Sequence, residues 1–70
     1  MRVMRFMDET GDRAITLDDP KSLQDAEDRF NDLVILKKTH RAMDTKGKGP
    51  ISRFEDAGEE TLVFPNLVGG

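Results

Sequence analysis

The sequence predicts an α+β fold: an N-terminal β-hairpin, one amphipathic helix packed across it, and short later strands that complete a small mixed sheet. Three observations carry this. Residues 13–18 alternate with a period of two, placing Ile15 and Leu17 on one face and Ala14, Thr16 and Asp18 on the other. Leu23, Ala26, Phe30, Leu33 and Val34 fall at i, i+3, i+7, i+10 and i+11, a helical stripe set against Asp25, Glu27, Asp28, Arg29 and Asp32. After that stripe, short β-prone runs are separated by glycine- and proline-bearing breaks.

The elements follow in order. Residues 2–7 carry apolar side chains on both faces, Met4 and Phe6 against Val3 and Met7, as a central strand does. Asp8-Glu9-Thr10-Gly11-Asp12 is a turn in which Gly11 can take positive φ, so the first two strands form a hairpin. Asp18-Asp19-Pro20 breaks the second strand. Pro20 suits a first helical turn and Asp19 can cap it; Ser22 with Asp25 is a weaker start signal. The helix runs from Pro20 or Ser22 to about Leu36, and Lys37 and Lys38 suit its negative pole. Residues 39–44 form a strand, residues 45–50 a turn, residues 51–54 a short strand, residues 55–59 a second turn, and residues 61–64 the final strand, which Pro65 ends. Met4, Phe6, Ile15, Leu17, Phe30, Leu33, Leu62 and Phe64 are the core candidates.

Seventy residues make a single domain, residues 1–70, whose small core leaves little room for a cleft with a multi-part active site. The absence of cysteine excludes disulfides, thiolate metal sites and a cysteine nucleophile. With His40 as the one histidine, a zinc site would need three oxygen ligands, so no metal is expected. The net charge of −3, with acidic residues concentrated between Asp18 and Asp32, disfavours nucleic-acid binding, which needs a basic face. The N-terminus has no apolar signal core, and no run approaches the ~20 apolar residues a bilayer span needs. These features predict a small soluble protein of the cytoplasm, or of a virion or infected cell if the chain is viral, with no membrane partner.

The chain reaches Gly69-Gly70 directly after a β-prone apolar run. A terminal glycine pair arises by chance in roughly one chain in 200 at average glycine usage. Glycines give a thin, permissive tail that can thread a narrow channel. The run Glu59-Glu60-Thr61-Leu62-Val63-Phe64-Pro65-Asn66-Leu67-Val68-Gly69-Gly70 resembles the ending of the small sulfur-carrier proteins of the molybdopterin-synthase type. Those close with an acidic turn, a strand reading Glu-Val-apolar-Phe-Pro-Pro, a small apolar step and Gly-Gly. Asn66 stands where that family has its second proline, and Val68 where it has a small residue.

The resemblance implies a compact β-grasp, or ubiquitin-like, fold of order ββαβ(β)β. It also implies that the reactive group is the Gly70 carboxylate, with Gly69 supplying reach. A partner activating enzyme would use ATP to form an acyl-adenylate there, then a thiocarboxylate or a conjugate, and an acceptor protein would take the product. The domain itself would bind no cofactor and supply no catalytic side chain. Leu62, Phe64, Leu67 and Val68 would be the docking residues.

The alternative reading is a non-catalytic structural or assembly subunit, such as a small virion component or an adaptor that binds copies of itself or other subunits. Apolar residues beyond the expected core, Val63, Leu67 and Val68, favour a partner surface of that kind. Other signals are weaker. Lys46-Gly47-Lys48-Gly49 lacks phosphate-loop spacing and reads as a hairpin loop. Asp8, Glu9 and Asp12 lack calcium-loop spacing and read as a polar turn. His40 has no identifiable nucleophile near it and reads as a surface or satisfied histidine. The helix carboxylates read as a solvated face.

Overall fold

The computed structural model describes residues 2–8, 11–47 and 49–66. Strand β1 (Val3–Asp8) and strand β2 (Gly11–Thr16) form the expected hairpin, with Asp8 opposite Gly11 at its tip. Gly11 takes φ +133°, a conformation a side chain would strain. Helix α1 (Pro20–Phe30) begins where the cap signals place it: the Asp19 carboxylate accepts the Ser22 backbone N–H and hydroxyl at 3.4 and 3.2 Å. Helical backbone continues to Leu36, but residues Asn31–Leu36 form a wider π-helical turn, marked by the Lys37 N–H reaching back five residues to the Asp32 carbonyl at 2.9 Å.

Strand β3 (His40–Asp44), strand β4 (Gly49–Ile51) and strand β5 (Glu60–Pro65) complete one five-stranded sheet of order β2-β1-β5-β3-β4. β1 and β5 run parallel; every other neighbouring pair is antiparallel. The fold is therefore α+β with one helix across a mixed sheet, consistent with a β-grasp arrangement. Three expectations shift. The second strand, expected over residues 13–18, lies two residues earlier at Gly11–Thr16, because Gly11 and Asp12 pair with Asp8 and Met7 instead of forming the turn. The short strand expected at residues 51–54 lies at Gly49–Ile51, because Pro50 fits an edge strand that needs no ladder from its nitrogen. Residues Phe54–Asp56 instead make a 3₁₀ turn that lays Phe54 edge-on against Phe30, ring centroids 5.8 Å apart.

The core lies between the sheet and α1. Met4, Phe6, Ile15 and Leu17 from the hairpin meet Ala26 and Phe30 from α1, with Leu23, Leu33 and Val34 packed at the margin. The whole helical stripe read from the sequence thus faces the sheet. β5 is the exception to the core expectation. Thr61 and Val63 are its fully buried residues, while Leu62 and Phe64 point to the other face and are half-buried. Leu62 and Phe64 are therefore not core residues, and Val63 is not a surface residue. A strand flanked on both edges carries apolar residues on both faces, so alternation alone does not say which set lies inward.

Thr61 brings a cost into the core. Its hydroxyl is buried without a hydrogen-bond partner among the described residues. A buried hydroxyl that gives up water and gains no partner is destabilising. Thr61→Val keeps the branched shape and removes the oxygen. Urea unfolding followed by circular dichroism is expected to show the variant about 1 kcal/mol more stable than the parent; a less stable variant would mean that the hydroxyl is satisfied.

Candidate functional site

α1 covers one face of the sheet, and among the described residues no element lies over the opposite face. The strand registers build that face row by row. Ala14, Arg5, Leu62, Met43 and Pro50 lie side by side across all five strands. Asp12 and Met7 are partners in the next row, as are Arg41 and Phe64. Met7 and Met43 are 39% and 37% exposed, so the centre of the face is an apolar surface open to contact. Two flexible thioethers flank Leu62 and Phe64, which suits a surface that adapts to a partner.

Arg5 is held flat on this face. One end of its guanidinium lies 3.3 Å from an Asp12 oxygen and the other 3.5 Å from a Glu60 oxygen. Glu60 is fixed in turn by the Thr45 hydroxyl, which donates to its other oxygen at 2.7 Å. The aliphatic stem of Arg5 therefore covers apolar sheet while its charge is neutralised at both ends. Thr45 also donates its backbone N–H to the Glu60 carbonyl at 3.1 Å, so the network is tied to the sheet.

Leu62 and Phe64, expected as docking residues, stand together on this face. Leu67, Val68, Gly69 and Gly70 lie outside the described residues. The last described residue, Asn66, is anchored twice: its backbone N–H donates to the Thr39 carbonyl and its side-chain amide to the Lys38 carbonyl, both at 2.9 Å. The base from which Leu67-Val68-Gly69-Gly70 departs is thus fixed to the start of β3. The sequence reading missed Arg5 as part of the face, whereas Met7 and Met43 suit either an adaptable core or a contact face by their chemistry alone. The signal for Arg5 was present in β1, whose second face carries Val3, Arg5 and Met7, but its partner on β5 becomes a neighbour only in the folded sheet.

His40 stands half-buried on the core side of β3, its Nδ1 2.8 Å from the Thr39 hydroxyl. Among the described residues no three of His, Asp and Glu gather as a metal site. Asp44, at the end of β3, accepts the Lys46 backbone N–H at 3.1 Å and shapes the turn after the strand. Within the loop read from Lys46-Gly47-Lys48-Gly49, residues 45–47 form a turn, Gly49 is already paired with Asp44, and Lys48 lies outside the described residues. No helix among the described residues is long and apolar enough to cross a membrane. No protein-family model matches this chain, nor does any curated protein or solved structure.

Proposed function

We propose that the chain is a small ubiquitin-like carrier or modifier whose Gly70 carboxylate is activated by a partner enzyme, with the uncovered sheet face as its docking surface. The observation that carries the reading is the dual position of β5. It is the central strand that leads to Gly69-Gly70, and the same strand displays Leu62 and Phe64 on the open face. Docking on β5 would place the partner's catalytic centre at a fixed distance from the tail's base. Positioning of that sort can supply up to about 7–11 kcal/mol of a barrier reduction.

In this scheme a Gly70 carboxylate oxygen attacks the α-phosphorus of ATP and pyrophosphate leaves. A sulfur nucleophile or an acceptor amine then attacks the acyl carbon and expels AMP. Both steps use the partner's catalytic groups. The test is intact mass spectrometry after incubation with ATP, a sulfur donor and an activating enzyme of the sulfur-carrier class. Thiocarboxylate formation adds the mass difference between sulfur and oxygen. It is expected for the parent, absent after Gly70 deletion, and slowed by Leu62→Ser with Phe64→Ser. A parent chain that remains unmodified and unadenylated would end the proposal.

The second reading, an assembly subunit, draws on a different feature. Ile35 and Leu36, at the end of the π-helical turn, are 43% and 75% exposed. If this chain works as a subunit, light scattering after size exclusion would give a multimer that Leu36→Ser reduces to monomer, and Gly70 deletion would leave the multimer intact.

A further inference from the structure

A groove of about 470 Å³ lies beside β3, where the open sheet face meets the end of the π-helical turn. Its cationic lining is Lys38 and Arg41, with His40 between them, and its apolar walls include Val34, Met43 and Phe64. No carboxylate lines it among the described residues, in a chain whose net charge is −3. Neither the Lys38 nor the Arg41 side chain has an ion-pair partner among the described residues, whereas Arg5, Arg29, Lys37 and Arg53 are all paired with carboxylates. Arg2, Arg13, Lys21 and Lys46 likewise have no ion-pair partner among the described residues, but none of them lines this groove; Lys38 and Arg41 are the two unneutralised cations that meet on its apolar walls.

Two backbone features belong to the same place. Lys38 is the one non-glycine residue with positive φ among those described, at +56°. Such a position after a helix ordinarily takes glycine, so a lysine there carries strain. The second feature is an open strand edge. β5 pairs with all of β3, from His40 to Asp44, but β4 reaches only Ala42, opposite Ile51. The bonds from Thr45 N–H to Glu60 and from Asn66 N–H to Thr39 turn the odd-numbered backbone groups toward β5. The His40 N–H and C=O therefore face the opposite edge, beyond the end of β4.

We infer that this groove binds an extended acidic-apolar segment of a partner protein, which continues the sheet beside His40 and places its carboxylates against Lys38 and Arg41. This inference does not rest on the Gly70 chemistry, although the groove shares Met43 and Phe64 with the face proposed to dock the activating enzyme. Apolar walls select the segment's leucine-like side chains, and the cations select against neutral or basic ones.

The probe is a fluorescein-labelled hexapeptide alternating aspartate with leucine, compared by anisotropy with its asparagine-for-aspartate counterpart. The aspartate peptide is expected to bind, more weakly as salt shortens the screening length, and the counterpart roughly tenfold more weakly. Lys38→Gly combined with Arg41→Gln is expected to cause a similar loss. Lys38→Gly alone should raise the thermal midpoint while weakening the peptide, a combination that damage to the fold cannot produce. Hydrogen exchange should show the His40 amide protected by the aspartate peptide. Equal binding of the two peptides, no binding, or unchanged affinity in the double variant would each overturn the inference. So would salt-sensitive self-association lost in the double variant, which would assign the groove to a second copy of the chain.

Discussion

Phe30→Ala is expected to remove about 3–5 kcal/mol of stability. The ring is fully buried at the last turn of α1, before the helix widens. It is the largest of the fully buried side chains, and it also holds Phe54, packed edge-on at 67°. Truncation therefore loses the transfer free energy of the ring, leaves a cavity in the core cluster that includes Met4 and Val63, and frees the 3₁₀ turn that carries Phe54. Domains of this size retain only about 0.05–0.15 kcal/mol per residue, so the loss is comparable to the whole. Urea titration followed by far-ultraviolet circular dichroism measures it, since the chain has no tryptophan or tyrosine to report by fluorescence. Phe30→Leu should cost markedly less. A loss below about 1 kcal/mol for the alanine variant would show that the helix does not depend on this ring.

Gly58→Ala is expected to destabilise by about 1–3 kcal/mol although it adds one methyl group. A Cβ at Gly58 would stand 2.8 Å from one Asp44 carboxylate oxygen and 3.2 Å from the other and from the carbon between them. The obstacle is a short side chain that is itself buried and bonded to the Lys46 backbone N–H, so it cannot swing aside as a long one would. The effect is steric, since Gly58 has no positive φ. A double-mutant cycle isolates it: Asp44→Ala is costly alone, but in that background Gly58→Ala should become nearly silent. Equal costs in both backgrounds would place the effect in the chain's flexibility instead of in this contact.

The elements whose signals are local were legible. The Asp19 cap, Pro20 in the first turn, the stripe from Leu23 to Val34 and the hairpin near Gly11 each depend on residues close in sequence; the cap, proline and stripe stand where the sequence places them, and the hairpin forms with its second strand two residues earlier. β5 was legible as a strand but not as to its inward face. Its polar Thr61 lies inside and its bulkier Leu62 and Phe64 outside, an inversion that only neighbours on both edges impose. The π-helical turn left no signal, because Asn31–Leu36 still fits a helical pattern while its wider winding leaves Ile35 and Leu36 outside. Of the expected site, Leu62 and Phe64 proved to share one open face. The groove beside β3 was illegible for a topological reason: Lys38 and Arg41 meet Phe64 through pairing between segments more than twenty residues apart.

The parallel pairing of β1 with β5 has a consequence for biosynthesis. Among the described strands β1 is translated before the others, yet one of its two neighbours, β5, follows them all. While the chain is being made, the hairpin and helix emerge with an unfilled position in the middle of the sheet. β3 and β4 cannot join them, because among the described strands β5 alone bridges the two halves. Closure therefore waits until residues 60–65 have left the ribosome, and the long-range pairing sets the pace of that final step. A nascent chain stalled before this point would expose the unpaired edge of β1 from Val3 to Phe6 to whatever chaperone stands at the tunnel exit.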